Sequence, residues 1–162
     1  MRYGAWRAVR RENMSKPVKN VERRLVYRMM IRWREARGAV EIPSLEEMSL
    51  QNMERIWPDV FILSKLDDEG GPVFERVGES FSGDGGAALV GRPVLDAPED
   101  TLIGQALADL GKVLEMKVPF THDGKFVNKA GQTVLFRSII MPISETPGVI
   151  DRLMCAANSK VK

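Results

Sequence analysis

Residues 58–80 constrain the fold most, because their pattern indicates two short strands joined by a turn. The run at residues 60–63 is apolar and rich in strand-forming side chains. It ends before residues 67–72, where glycine accepts positive φ and proline cannot donate to a ladder. Alternating side chains follow at residues 73–78. We therefore predict a β-hairpin at the centre of one antiparallel sheet.

The composition is typical of a globular protein with a real core. The chain has 162 residues, of which 44% are hydrophobic and 28% charged. No apolar run approaches the roughly 20 residues of a membrane span, and the basic N-terminus lacks the apolar segment of a secretion signal. We expect a cytoplasmic location. A single cysteine, Cys155, excludes an internal disulfide, and a single histidine, His122, excludes a two-histidine metal site.

Charge divides the chain into a basic arm and an acidic body. Residues 1–38 hold 12 Lys/Arg and 3 Asp/Glu, a net charge of +9, whereas the remainder has a net charge of −7. We predict a basic tail and helix at residues 1–38 and a folded domain at residues 39–162. Because such an arm can neutralise phosphates, binding to nucleic acid or to an anionic surface is one hypothesis for function.

The pattern at residues 18–37 predicts an amphipathic helix. Its apolar side chains recur at steps of three and four and fall on one face, and Gly38 then ends the helix. The stripe must be buried, either on the chain's own domain or on a second copy. We predict a symmetric homodimer, with the interface residues Val18, Val21, Leu25, Met29 and Trp33.

Two capping boxes mark predicted helix starts. Ser44 with Glu47 begins a short helix, and Asp96 with Glu99 begins a longer one over residues 100–115. Between the two helices, four glycines at residues 83–91 predict a loop with about one helical turn.

The C-terminal third predicts three strands separated by turns. Residues 116–122, 133–143 and 149–157 are the strand candidates, and Asp123-Gly124 marks the first turn. Because short turns join them, we expect antiparallel neighbours.

The order of these elements resembles the PAS fold. Short pieces between Trp33 and Ala157 are also similar to a bacterial, proteobacterial subfamily of small stand-alone PAS proteins. These pieces are Ile42-Pro43-Ser44, Trp57-Pro58-Asp59-Val60-Phe61-Ile62-Leu63, Phe74-Glu75-Arg76-Val77-Gly78, Leu89-Val90-Gly91-Arg92, Ile140-Met141-Pro142-Ile143-Ser144 and Val149-Ile150-Asp151-Arg152-Leu153. The resemblance implies an α+β fold with a five-stranded antiparallel sheet, helices on one face, and a helical stretch between strands two and three.

PAS domains are sensory or interaction modules, so the resemblance implies a non-enzymatic regulatory protein that binds a partner protein or a small ligand. It also implies a pocket between the sheet and the helices. Arg76 is a candidate to hold an anionic ligand, and the alternative is an ion pair with an acid on a neighbouring strand. The pocket candidates are Phe61, Leu63, Phe74, Arg76, Leu102, Ala106, Leu110 and Phe136.

The cofactor stays unknown, with haem and flavin disfavoured. The haem-binding histidine of some PAS sensors lies on the long helix, and residues 100–115 contain none. His122 is instead predicted to be an exposed turn residue. The motif around a flavin-reactive thiol is absent, and Cys155 lies in an apolar run typical of core packing. We predict no metal site, because the chain has one histidine and one cysteine. We also predict no enzyme activity, because a Ser-His-Asp triad would rest on His122 alone.

Overall fold

The protein is described by a computed structural model that covers residues 24–48 and 53–162. In these residues, short 3₁₀-helices connect the α-helices and strands of one α+β unit. The α-helices are α1 (Arg24–Arg37), α2 (Leu45–Met48), α3 (Gly86–Leu89), α4 (Leu102–Gln105) and α5 (Leu110–Met116). The strands are β1 (Val60–Ser64), β2 (Val73–Val77), β3 (Phe120–Val127), β4 (Thr133–Ile143) and β5 (Arg152–Val161).

The five strands form one antiparallel sheet in the order β2-β1-β5-β4-β3. The predicted hairpin is confirmed as β1 and β2, but its central position is wrong, because β5 occupies the centre. Side chains from Leu153 to Ala157 are buried on both faces of β5, whereas Phe74 is the buried residue of β2. A strand that buries both faces belongs inside a sheet.

The helices α3, α4 and α5 lie between β2 and β3 in the chain. This arrangement confirms the five-stranded antiparallel α+β fold that the PAS resemblance predicts. The two faces of the sheet carry separate apolar clusters. We call them the helix-layer core, under α3–α5, and the α1-side core.

α1 covers the face of the sheet opposite to α3–α5. Its buried residues Leu25, Met29 and Trp33 pack in the α1-side core, and Trp33 Nε1 donates a 2.8 Å hydrogen bond to the carbonyl of Pro142. These three side chains of the predicted dimer interface are therefore buried against the chain's own sheet. Val18 and Val21 lie outside the described residues.

The homodimer stays a prediction, but an uncovered apolar stripe no longer supports it. The boundary at residue 38 also stays a prediction, although α1 shares a core with the sheet. In the described part of the chain, no helix has the length and hydrophobicity that a membrane crossing requires.

β3 runs through Asp123 and Gly124, so the turn predicted there is wrong. Asp123 lies opposite Arg137 on β4, and their buried side chains pair with 3.8 Å between Oδ2 and Nη2. The pairing keeps the buried Asp123 carboxylate next to an opposite charge, which a lone buried carboxylate would lack. The turn forms instead between β3 and β4, where Asn128 Oδ1 accepts hydrogen bonds from the backbone N–H groups of Ala130 and Gln132.

The Ser44–Glu47 capping box is confirmed, with reciprocal hydrogen bonds of 2.9 and 3.1 Å. The Asp96 box is wrong, because Asp96 pairs with Arg92 at 2.6 Å. Thr101 caps α4 instead, and its Oγ1 accepts a hydrogen bond from the N–H of Gly104.

The helix predicted over residues 100–115 is divided into α4 and α5. Between them, the N–H groups of Leu107 and Ala108 bond to carbonyls three residues earlier, each at 3.3 Å. These are the tighter turns of a 3₁₀-helix. Gly104 and Gly111 lower the helix propensity on either side of the break.

Because α1 packs against the sheet of its own chain, we predict that Met29→Ala will lower the free energy of unfolding by about 2 to 5 kcal/mol. Met29 is fully buried in the α1-side core, so the substitution leaves a cavity. Tyr27, which is 67% exposed on the same helix, provides the control, and Tyr27→Ala should change stability by no more than about 0.5 kcal/mol. Urea unfolding monitored by circular dichroism measures both.

The same unfolding experiment, repeated over a hundredfold range of protein concentration, separates packing within one chain from packing between two. Burial within one chain gives a midpoint that does not depend on concentration. The packing of α1 on its own chain would be contradicted if the wild-type midpoint rose with protein concentration and the midpoint of Met29→Ala did not.

Candidate functional site

Seven of the eight pocket candidates meet in the helix-layer core. They come from β1, β2, β4, α4 with the residue that follows it, and the start of α5, and they lie in one cluster between the sheet and the helices. Six are buried and Leu110 packs at the margin. The seven are Phe61, Leu63, Phe74, Leu102, Ala106, Leu110 and Phe136.

Aromatic rings organise one end of this core. The ring centroid of Phe61 lies 5.8 Å from that of Phe74 and 5.3 Å from that of Phe81, the second pair being nearly perpendicular. Phe81 was missed in the sequence because it stands in a glycine-rich stretch that indicated a loop. Its 3₁₀-helix, Glu79–Asp84, turns the side chain inward. Edge-to-face pairs of this kind add to the stability that burial provides.

Arg76 does not join the other candidates, because the β1–β2 register shifts. Ile62 pairs with Arg76 but Leu63 pairs with Phe74, so Glu75 is skipped. The shift places Arg76 on the α1 side of the sheet. There its guanidinium carbon lies 3.9 Å from the centroid of the Trp57 ring. Arg76 thus stacks on an aromatic ring, and neither the anion-binding hypothesis nor the ion-pair alternative describes its position.

Three short helices cover the core, and their length makes them depend on packing. α3 and α4 have 4 residues each and α5 has 7. Isolated helices shorter than about 12 residues are marginal in water. A layer of this kind can open locally at low cost compared with unfolding of the sheet.

Asp84 connects this layer to the preceding loop. Its Oδ2 accepts hydrogen bonds from the N–H groups of Leu102 and Ile103, at 2.9 and 3.4 Å. Burial raises the pKa of the Asp84 carboxyl above its ordinary value, and these two hydrogen bonds oppose the rise only in part. The carboxylate therefore holds α4 in place at some electrostatic cost.

A polar group lies at the opposite margin of the core, where α5 meets β3. We call it the Asp109 cluster, and it consists of Asp109, Lys112 and His122. Asp109 Oδ1 lies 3.5 Å from Lys112 Nζ, and Oδ2 lies 3.7 Å from His122 Nδ1. The Asp109 side chain is 4% exposed, whereas those of Lys112 and His122 are 31% and 32% exposed. The cluster therefore connects the core to solvent.

His122 is a strand residue, so its assignment to an exposed turn is wrong. Its ring centroid lies 5.5 Å from that of Phe136. Strand alternation would have found it, because Phe120, His122 and Phe126 share one face when the strand continues past Gly124. Asp109 was missed because a continuous helix places it on the polar side, and the break before α5 turns it inward.

Cys155 is buried in the helix-layer core, as its apolar context predicted. Burial raises the pKa of the Cys155 thiol well above its ordinary value. The thiol therefore stays protonated in the folded chain, and a protonated thiol is a poor nucleophile.

Two open cavities on the described surface lie away from the pocket candidates. One of about 460 Å³ is bordered by Glu41, Glu47 and Glu145, and one of about 350 Å³ by Asp84, Thr101 and Lys129. None of the eight candidates lines either cavity. Across residues 24–48 and 53–162, no three histidine, cysteine or acidic side chains are grouped as a metal site would require.

Comparisons with known proteins find similarity at the level of the fold. No protein-family model and no curated protein matches the chain. A LOV domain from the blue-light activated histidine kinase of Erythrobacter litoralis EL346 is 11% identical, with 64% of this chain and 95% of that chain covered and a TM-score of 0.47. A Rhodobacter sphaeroides LOV protein is 9% identical, with 85% of this chain and 68% of that chain covered and a TM-score of 0.44. A PAS domain from a two-component sensor histidine kinase is 15% identical, with 64% of this chain and 83% of that chain covered and a TM-score of 0.38.

Similarities this distant carry no argument about cofactor, activity or partner. The resemblance to a proteobacterial subfamily also stays a prediction. The function must be argued from the residues of this chain.

The Asp84 contacts predict different effects for two substitutions. Asp84→Ala removes the acceptor for two α4 donors and should lower the free energy of unfolding by about 1 kcal/mol. Asp84→Asn keeps an acceptor and removes the half-buried charge, so it should lose less stability. Because burial raises the pKa of this carboxyl, its contribution to wild-type stability declines as pH rises.

The stability of Asp84→Asn relative to wild type should therefore rise between about pH 4 and pH 7. Urea unfolding at several pH values measures this difference, with Asp68→Asn in an exposed turn as the control. A relative stability of Asp84→Asn that falls with rising pH would show that the hydrogen bonds dominate over burial.

Proposed function

We propose that this chain is a non-enzymatic sensory or regulatory module that binds a small, mainly apolar ligand between its sheet and the α3–α5 layer. The main support is the convergence of seven apolar candidates from five elements on one buried cluster. Ligand sites are typically apolar with a few placed polar groups. The Asp109 cluster supplies such groups at the margin.

The covering layer gives a ligand a way in. Short helices α3, α4 and α5 lie over the core, while the sheet beneath them is held by long ladders between β3, β4 and β5. A ligand that displaces the helices can therefore enter without unpairing the strands. The protonated state of the Cys155 thiol supports a binding role over covalent chemistry in this core.

The output of such a module would pass through the sheet to α1. Alternate residues of β5 face the two cores, with Cys155 in the helix-layer core and Met154 and Ala156 in the α1-side core. The Trp33–Pro142 hydrogen bond ties α1 to β4. A ligand-driven shift of the sheet would therefore change how α1 is presented to a partner protein or to a second copy.

A native mass spectrum of the protein purified from its own host tests the ligand proposal. We expect a bound small molecule in wild type. Ala106→Met, which adds side-chain volume within the helix-layer core, should reduce its occupancy. Leu95→Met provides the control, because Leu95 is 89% exposed and its substitution should leave occupancy unchanged.

Circular dichroism and the unfolding midpoint must show that both variants are folded. A ligand-free wild type from the native host, with no stabilisation by a panel of apolar metabolites, would remove small-molecule sensing. The proposal would then reduce to a regulatory module that binds a partner protein without a ligand.

A second candidate function is binding to nucleic acid through α1, and the outward face of that helix favours it. Arg28 and Arg34 are exposed, and Tyr27 lies beside them, 67% exposed. Exposed cations with an aromatic residue can contact phosphates and stack on bases. The other cations of the arm, at residues 1–23, lie outside the described residues.

Nucleic-acid binding through α1 predicts an affinity that falls linearly with salt on logarithmic axes. Arg28→Ala and Arg34→Ala should each lower the magnitude of the slope by about one for a lost phosphate contact. Lys160→Ala, an exposed cation at the end of β5, should leave the slope unchanged. Fluorescence anisotropy with mixed-sequence DNA measures these slopes.

Sedimentation in the same salt series tests the homodimer. Repulsion between two basic arms is screened by salt, so a dimer joined near them should tighten as salt rises.

In the anisotropy experiment, salt slopes of all three variants equal to that of wild type would remove α1 as the nucleic-acid site.

A further inference from the structure

Asp109 is buried but poorly satisfied, and this combination calls for an explanation. It is the residue immediately before α5, a position where aspartate commonly caps a helix, yet its side chain makes no capping hydrogen bond. The side chain turns towards β3 instead. Its Oδ2 is inaccessible to solvent and accepts no hydrogen bond. Most buried polar atoms in folded proteins are hydrogen-bonded.

The neighbouring groups contact this carboxylate only loosely. The 3.7 Å from Oδ2 to His122 Nδ1 and the 3.5 Å from Oδ1 to Lys112 Nζ exceed the usual hydrogen-bond range of about 2.7 to 3.2 Å. Contacts of this length leave an acceptor position on Oδ2 unused. Because Oδ2 is inaccessible to solvent, a donor from outside the chain would reach it when the short α3–α5 layer opens.

The surroundings of the carboxylate suit a flat apolar molecule. The ring centroid of Phe136 lies 5.5 Å from that of His122 and 5.8 Å from that of Phe126. Gly124 stands opposite Phe136 in the ladder and adds no side chain to cover its ring. His122 and Lys112, each about one-third exposed, form the solvent side of the cluster.

The charges of the cluster restrict the ligand further. Lys112 already balances Asp109, so a cationic ligand would face repulsion from the ammonium group. An anionic ligand would face the carboxylate itself. A neutral donor avoids both costs.

We propose that Asp109 Oδ2 accepts a hydrogen bond from a neutral N–H or O–H group of an aromatic ligand that lies against Phe136. This inference rests on the proposed ligand-binding function and assigns the chemical class of the ligand. Asp109 is the polar recognition group, and His122 lies on the solvent side of it.

Indole and benzothiophene test this assignment, because they have nearly the same bicyclic shape and only indole carries an N–H donor. Wild type should bind indole about 10 to 100 times more tightly than benzothiophene, the range expected for one hydrogen bond to a charged acceptor. Titrations monitored by NMR chemical shifts give both dissociation constants, and the His122 ring signals should move with indole.

Asp109→Leu should abolish the preference for indole without lowering the unfolding midpoint, because it removes a buried acceptor atom that has no hydrogen-bond partner. Asp109→Asn, which keeps an acceptor, should retain part of the preference. Glu115→Leu, an exposed acid on the same helix, is the matched control and should behave as wild type.

Equal binding of both probes to wild type would overturn the role of Asp109 and leave the ligand-binding function in place. Failure of both probes to bind at millimolar concentration would overturn the inference together with aromatic ligands as a class. A lower unfolding midpoint in Asp109→Leu with an unchanged preference would show that Asp109 only holds α5 in position.

Discussion

The burial of β5 on both faces is the constraint on which the rest of the structure depends. Leu153 and Cys155 face one core, and Met154 and Ala156 face the other. Such a strand is stable only inside the sheet and only if both faces are covered. The α3–α5 layer covers one face and α1 covers the other. α1 is therefore part of the fold, whatever else its basic outward face does.

The sequence predicted the parts of this fold that depend on local pattern. The β1–β2 hairpin, all of β4 and the Ser44–Glu47 cap follow from alternation, turn residues and capping chemistry. The apolar pocket candidates could also be found, because residues of one strand face or one helix face converge on the same core. Seven of them do meet there.

The remainder depends on interactions between distant residues, which a local pattern does not contain. The register shift that turns Arg76 away arises from β1–β2 pairing, and Asp123 stays in β3 because Arg137 lies across from it. The choice of Thr101 over Asp96 as a cap follows the packing of α4. His122 and Asp109 reach the margin of the helix-layer core through such effects, so the sequence predicted the apolar residues of that core and missed these polar ones.

A sheet with two cores gives a small protein a simple way to respond to a ligand. Cores are closely packed, so a change of volume on one face is felt by the strands. Because β5 alternates between the two cores, a displacement of Cys155 cannot occur without moving Met154 and Ala156, which pack beneath α1. The helices of the α3–α5 layer are short and α1 has 14 residues. In the function proposed above, the short layer would therefore admit the ligand, and the long helix would carry the resulting shift to a surface that a partner can contact.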